Sequence, residues 1–260
     1  MVAMTLTPDF SLRGKLALVT GATQGLGLVI AQAFAAYGAR VIINGRNAER
    51  VQSRVDDLTR QGHEAHPFVF DIGDVGEQAG AFAGLCEQVG VPDILVNNVG
   101  IRIRKPMADV SLDDIMVMLN VNLMAAVHLS KLAADAMVGT RKAGRLITLT
   151  SIAGELARAG DAIYPVAKQG LSGLIRALAV EYGPYGITSN GIAPGTFATE
   201  SNAELAKDPI KGPIVVGRNP LGRWAQPSEI AGPAVFLASP SAAYVNGHIL
   251  VVDGGFSVTF

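Results

Sequence analysis

The chain has 260 residues, 49% hydrophobic and only 17% charged, so most segments must be buried in one large domain or two small ones. Its 21 basic and 22 acidic side chains are intermixed and leave a net charge of -1, which gives no general attraction to nucleic acid or to acidic membranes. The one cysteine, Cys86, cannot form an internal disulfide and fits a reducing cytoplasm. It lies in a periodic stretch and reads as a core thiol. No charge-free run approaches the ~20 residues of a membrane span, and no basic region followed by an apolar segment marks a signal peptide.

Residues 15–20 form a short apolar run that ends in a glycine-rich turn, Thr20 to Gly27. After it, Leu26, Ile30, Phe34 and Tyr37 have helical spacing up to Gly38. Arg40 to Asn44 is a second strand, and Asn47 caps a helix reaching Gly62. Ala65 to Phe70 is a third strand, followed by a helix over 77–89, and Asp93 to Val96 is a fourth. A long helix over 111–138 precedes a fifth strand, Arg145 to Thr150. The next helix, over 161–182, stops at Gly183-Pro184, because proline resists continuation. Ile187 to Ile192 and Ile249 to Val252 are strands six and seven, with a helix over 227–238 between them. Asp208-Pro209, Gly212-Pro213 and Asn219-Pro220 punctuate a lid-like insertion at about 200–217. The strands are apolar on both faces, as parallel strands covered by helices are. The alternation predicts an α/β fold, one doubly wound domain over 1–260 with its ligand at the C-terminal strand ends.

Two local patterns carry chemistry. Gly21, Thr23, Gln24, Gly25, Leu26 and Gly27 follow the first strand and open a helix, where backbone N–H groups can meet a pyrophosphate. The gap from Gly21 to Gly25 departs from the commonest GxGxxG spacing. The second strand ends in Asn44-Gly45-Arg46, with no carboxylate to repel a 2'-phosphate and an arginine to bind one. The cofactor expected is therefore NADP(H), with NAD(H) possible; an arginine merely facing water at a helix start is the alternative for Arg46. Further on, Tyr164 and Lys168 stand one helical turn apart and present both head groups to one side. Such a pair can exchange a proton with an alcohol or a carbonyl. His63, His66, His128 and His248 make no plausible ligand cluster, so no metal is expected.

In order and spacing these motifs resemble the short-chain dehydrogenase/reductase family from Lys15 to Gly255. The matches are Thr20 to Gly27, Asp71, Asn97-Asn98-Val99-Gly100, Asn122, Ser151, Tyr164 with Lys168, and Pro194-Gly195 followed by Thr199. Val99 departs mildly from the family's usual alanine. The resemblance implies a Rossmann-like fold with a seven-stranded parallel sheet. It also implies a catalytic set of Asn122, Ser151, Tyr164 and Lys168. Asp71 and Ile72 would contact adenine, and Asn98, Val99 and Gly100 would support the cofactor-side strand. Tyr164 and Lys168 would also hold the nicotinamide ribose, while Pro194, Gly195, Phe197 and Thr199 would lie near the carboxamide. The family usually assembles as a homotetramer, which would place Phe256, Val258 and Phe260 between subunits; closing an intramolecular core is their alternative.

Within the family the chain is similar to gluconate 5-dehydrogenases, also called 5-keto-gluconate reductases. The likeness rests on Asn44-Gly-Arg-Asn-Ala48, Glu155-Leu156 with Arg158, Phe197-Ala-Thr-Glu200, Leu221-Gly-Arg-Trp224 and Val245-Asn-Gly-His248. It departs at Ala153-Gly154 and at Arg102-Ile103-Arg104, where those enzymes carry Gln-Ser and paired arginines. The implied substrate is a sugar acid: Arg104 and Arg158 would bind its carboxylate, Glu155 a hydroxyl, and Ser151 and Tyr164 the reacting oxygen. Solvated surface charges are the alternative for both arginines. A ketoreductase for another small carbonyl or 3-oxoacyl compound, or a cofactor-binding regulatory protein, are the other functional readings.

Overall fold

A computed structural model describes residues 7–260; the expectation of no signal peptide bears partly on residues 1–6, outside the described ones. Seven parallel strands pair in the order β3-β2-β1-β4-β5-β6-β7. They are β1 (Leu16–Val19), β2 (Arg40–Gly45), β3 (Ala65–Val69), β4 (Ile94–Asn97), β5 (Gly144–Leu149), β6 (Ile187–Pro194) and β7 (Ile249–Val252). Strand β1 has Leu16 beside Arg40 of β2 and Ala17 beside Ile94 of β4. The chain therefore leaves β1 toward one edge, to β2 and β3, and then returns to its other side. A ligand crevice opens at such a reversal, outside the C-terminal strand ends.

Successive strand residues point to opposite faces, and the core divides accordingly. Ala17, Val19, Val41, Ile43, Ile94, Val96 and Ile147 pack on one side with Ile30 and Phe34 of α1 (Gly25–Ala36) and Val235 of α9 (Ala231–Ala238). Leu16, Leu18, Ile42, Leu95 and Leu146 pack on the other with Phe82 of α3 (Gln78–Val89) and Leu129 of α5 (Ala125–Gly139). Cys86 joins the second layer as a half-buried thiol whose pKa burial pushes up. Burial on both faces explains why the inner strands read as unbroken apolar runs. Asn47 caps α2 (Ala48–Arg60) by accepting from Arg50 N at 2.8 Å.

Two predicted helices differ in the structure. The stretch over 111–138 is α4 (Leu112–Leu119), a π-helical turn (Asn120–Met124) and α5. Asn122 Nδ2 donates to Met118 O at 2.9 Å, and a side chain inserted into the i→i−4 ladder widens a helix in this way. From Leu112 to Gly139 the run is long and apolar enough to cross a membrane by length and composition, yet α5 turns Ala126, Leu129, Ala133 and Met137 into the domain core. The helix predicted over 161–182 is α6 (Tyr164–Tyr182). Pro165 favours a start there, because its missing N–H and fixed φ suit the first turn. Asp161 is thereby left in the preceding loop, where its side chain has another partner.

Between β6 and α9 lie α7 (Ala203–Lys207) and α8 (Lys211–Val216), the predicted insertion. Trp224 Nε1 donates to Gly212 O at 3.1 Å and ties it down. At the C-terminus, Val258 and Phe260 are exposed and close no core within the chain.

Candidate active site

A cleft of about 740 Å³ opens beside the β1–β4 reversal, lined by the turn after β1, the ends of β2 and β4, the loop after β3, and Tyr164. Of the residues singled out in the sequence, Gly21, Thr23, Gln24, Gly25 and Leu26 line one part. Arg46, Asp71 and Ile72 line another, and Asn98, Val99, Gly100, Tyr164 and Thr199 the rest. The turn is held from below by side chains. Thr20 Oγ1 accepts from Asn98 N at 2.9 Å and donates to Val96 O at 3.1 Å, while Asn98 Nδ2 donates to Thr20 O at 2.9 Å. Buried Asn44 accepts from Gly21 N at 3.2 Å and donates to Phe68 O and Phe70 O, binding the turn to β2 and β3. Asn44 was read only as part of a strand end; nothing in its local spacing marks it as a staple.

The glycines answer to two different demands. Gly25 has φ +59°, a left-handed conformation that costs a side chain energy. At Gly27 a Cβ would stand 2.4 Å from Asn98 Nδ2 and 2.6 Å from Gly21 O, so α1 could not approach the sheet. At the head of α1, Gly25 N donates to Glu200 Oε2 at 3.0 Å. An anionic oxygen thus already sits on the helix N-terminus, where the amides and the dipole favour a phosphate. Arg46 is 76% exposed, and among the described residues its guanidinium pairs with Asp71 alone, at 3.5 Å. The donor set and the cleft fit a dinucleotide phosphate group.

At the inner end, α6 brings Lys168 Nζ to 5.7 Å from the centre of the Tyr164 ring. Lys168 is buried and donates to Leu149 O at 2.8 Å. Burial lowers its pKa to about 8, so it carries its proton at neutral pH. Burial raises the pKa of Tyr164, and Arg102, the Ser151 hydroxyl and Arg104 pull it back, while Asp161 adds to the rise. Ser151, which follows β5, also accepts from Ala153 N at 3.1 Å. Asn122 is buried with both ends of its amide engaged: Oδ1 accepts from Ile101 N at 2.9 Å, and Nδ2 donates to Ile101 O and Met118 O. A Cβ on Gly100 would lie 2.8 Å from Asn122 Oδ1 and 3.5 Å from Lys168 Nζ, so the two groups flank one small space.

Other expected site residues lie further out. Phe197 is buried in the core, leaving its backbone as the part able to face a ligand. Pro194 and Gly195 stand at the end of β6, with Gly195 N donating to Val252 O at 2.9 Å. Glu155 and Arg158 are exposed on the loop between β5 and α6. Arg104 has its pKa lowered, first by burial and then by Arg102 and Arg158, which makes it part of a cationic cluster. Sequence reasoning gave no role to Arg102, whose guanidinium lies 4.6 Å from the Tyr164 ring centre, and gave none to Asp161, which pairs with Arg102.

A doubly wound parallel sheet with this crevice is a fold that dinucleotide-dependent oxidoreductases use, and the chain is a member of their short-chain dehydrogenase/reductase family. A family model described as enoyl-(acyl carrier protein) reductase matches residues 21–257. The chain is 39% identical to gluconate 5-dehydrogenase of Gluconobacter oxydans (strain 621H), over 97% of this chain and 98% of that protein. It is 37% identical to 5-keto-D-gluconate 5-reductase of Escherichia coli (strain K12), over 96% and 98%. A crystal structure of a gluconate 5-dehydrogenase from Burkholderia cenocepacia J2315 in complex with NADP and tartrate superposes with a TM-score of 0.92 at 36% identity, covering 96% of this chain and 98% of that one.

Proposed function

We propose that the protein is an NADP(H)-preferring dehydrogenase that interconverts a secondary alcohol and a ketone on a sugar acid of the gluconate and 5-keto-gluconate type. The observation that carries the acid is the placement of Arg102 and Arg104 near Tyr164, with Arg158 acting in turn on Arg104 and Asp161 as the nearby carboxylate. That surplus of guanidinium charge, with forks suited to bidentate pairing, calls for an anionic substrate. The relatives named for gluconate and the neighbour holding tartrate support the same reading, and that neighbour's NADP supports the cofactor.

The turn from Gly21 to Gly27 would hold the pyrophosphate, Arg46 a 2'-phosphate, and Asp71 with Ile72 the adenine. Asn98 to Gly100 and the Tyr164–Lys168 pair would hold the inner ribose. Thr199 and the backbone at Pro194, Gly195 and Phe197 would hold the carboxamide. The nicotinamide, when bound, accepts or supplies the hydride. Tyr164 takes the hydroxyl proton in oxidation and returns it in reduction. Lys168, protonated at neutral pH, favours the phenolate. Ser151 donates to the reacting oxygen, most usefully as charge develops there. Asn122 holds the loop at Ile101 and, across the space beside Gly100, forms with Lys168 a place for a relay water. Residues of about 200–217 close over the substrate, and exposed Val258 and Phe260 meet other subunits in a homotetramer.

A screen of the purified protein against 5-keto-D-gluconate, other keto acids and uncharged keto esters, each with NADPH and NADH, tests the assignment. Turnover of keto acids with NADPH is expected. Turnover confined to uncharged ketones or acyl esters would instead select the ketoreductase reading.

A further inference from the structure

Arg102 does not behave as the other two arginines of the cluster do. It bonds through Nη2 to Asp161, whose side chain is only 1% exposed and whose Oδ1 finds no hydrogen-bond partner among the described residues. A buried carboxylate with one free oxygen depends on its cationic partner, because an unpaired charge there is strongly destabilising. The pair therefore fixes Arg102, with its guanidinium carbon 4.6 Å from the centre of the Tyr164 ring. That is closer than Lys168 Nζ at 5.7 Å, and it lies within the range in which a cation is attracted to an aromatic face. Such a cation favours a phenolate more than a phenol.

We propose that Arg102, clamped by Asp161, is a positioning residue for Tyr164: it holds the ring in place and supplies a second fixed positive charge that makes the phenol a stronger acid. The proposal rests on the reading of Tyr164 as the acid–base group. The charged and polar groups facing the phenol are Arg102 and Arg104 from the loop after β4, Asp161 from the loop before α6, Lys168 within α6, and the Ser151 hydroxyl after β5. Arg158 acts on Arg104. Glu200, across the cleft, is held to Gly25. Among these, Arg102 exerts the largest downward pull on the phenol and outweighs Asp161. Lys168 gives one of its three N–H donors to Leu149 O, and burial lowers its pKa to about 8. A guanidinium keeps its charge throughout the working pH range, so the pull of Arg102 on the phenol does not titrate away.

The test compares Arg102→Gln, Arg102→Lys and the double variant Arg102→Gln/Asp161→Asn with the parent. The double variant replaces the ion pair by a neutral one, so the buried carboxylate is not stranded if the single variant fails to fold. Two readouts are taken. The first is the phenol titration by ultraviolet difference absorption, each protein minus its Tyr164→Phe counterpart, which isolates one of five tyrosines. The second is the pH profile of kcat/KM for alcohol oxidation. Losing the guanidinium is expected to raise the phenol pKa and move the acid limb up by about one pH unit, a loss of about tenfold on its acid side. Arg102→Lys is expected to restore most of that shift. An unmoved titration in the double variant overturns the proposal. So does a loss confined to KM with the limb unchanged, which would make Arg102 a substrate ligand. The titration needs no substrate, so it can fail while the assigned reaction stands. Conversely, normal turnover by Tyr164→Phe would sink the reaction without touching the titration.

Discussion

The two ends of the cleft are built by different means. Around Gly21 to Gly27 the chain itself is the instrument: a left-handed Gly25 and a helix brought close by Gly27 shape one short segment, whose Gly25 N already donates to a carboxylate oxygen. Around Tyr164 the instrument is side-chain charge gathered from the loop after β4, the loop before α6 and α6 itself. The first end, proposed to take a phosphate, depends on geometry that any folded copy must reproduce. The second sets proton affinities through a balance of burial against charge, in which one group's removal shifts all the others.

The largest predicted effect belongs to the second end. Tyr164→Phe removes the proton carrier and keeps the ring, so turnover should fall by about 10²–10⁴-fold while NADPH binding, read by fluorescence titration, persists. Collapse of binding as well would show that the two ends are not separable. Gly27→Val attacks the first end through packing. Forcing atoms into the 2.4 Å and 2.6 Å approaches should cost about 1–3 kcal/mol in urea unfolding and weaken NADPH binding; unchanged stability would mean that α1 can retreat freely. Arg46→Ala should raise the KM for NADPH by about tenfold and leave that for NADH alone. An equal rise for both would deny Arg46 a phosphate.

The smallest effect sharpens the comparison most. Glu200 reaches Gly25 N from 175 residues away, carrying a side-chain charge into the backbone-built site. A pyrophosphate bound as proposed would compete with it for Gly25 N. Glu200→Gln should therefore tighten NADPH binding by about two- to fivefold, the scale of one charge at a helix N-terminus. Weaker binding would show instead that Glu200 serves the bound state.

Reading the chain in order located the parallel sheet, the glycine turn and the Tyr164–Lys168 pair, yet it says nothing of what else packs around the phenol. In the folded chain burial is the larger influence, and the phenol's pKa is raised. Desolvation depends on everything packed around a group, and no spacing along the chain records it. The long helix over 111–138 was misread for a related reason: its periodicity persists through the π turn, and only the side-chain bond from Asn122 to Met118 widens it.

What the chain order alone determined are features closed within a few residues or a regular repeat. Strand runs apolar on both faces, glycines where a backbone must bend or approach, and two side chains one turn apart follow from local geometry. The fold decided which distant charges meet. Arg102 finds Asp161 across 59 residues, Glu200 finds Gly25 across 175, and Asn122 finds Ile101 across 21. Those meetings depend on how the loops at the strand ends converge over the crevice, and the burial of Asp161 there makes its charge a force on its neighbours.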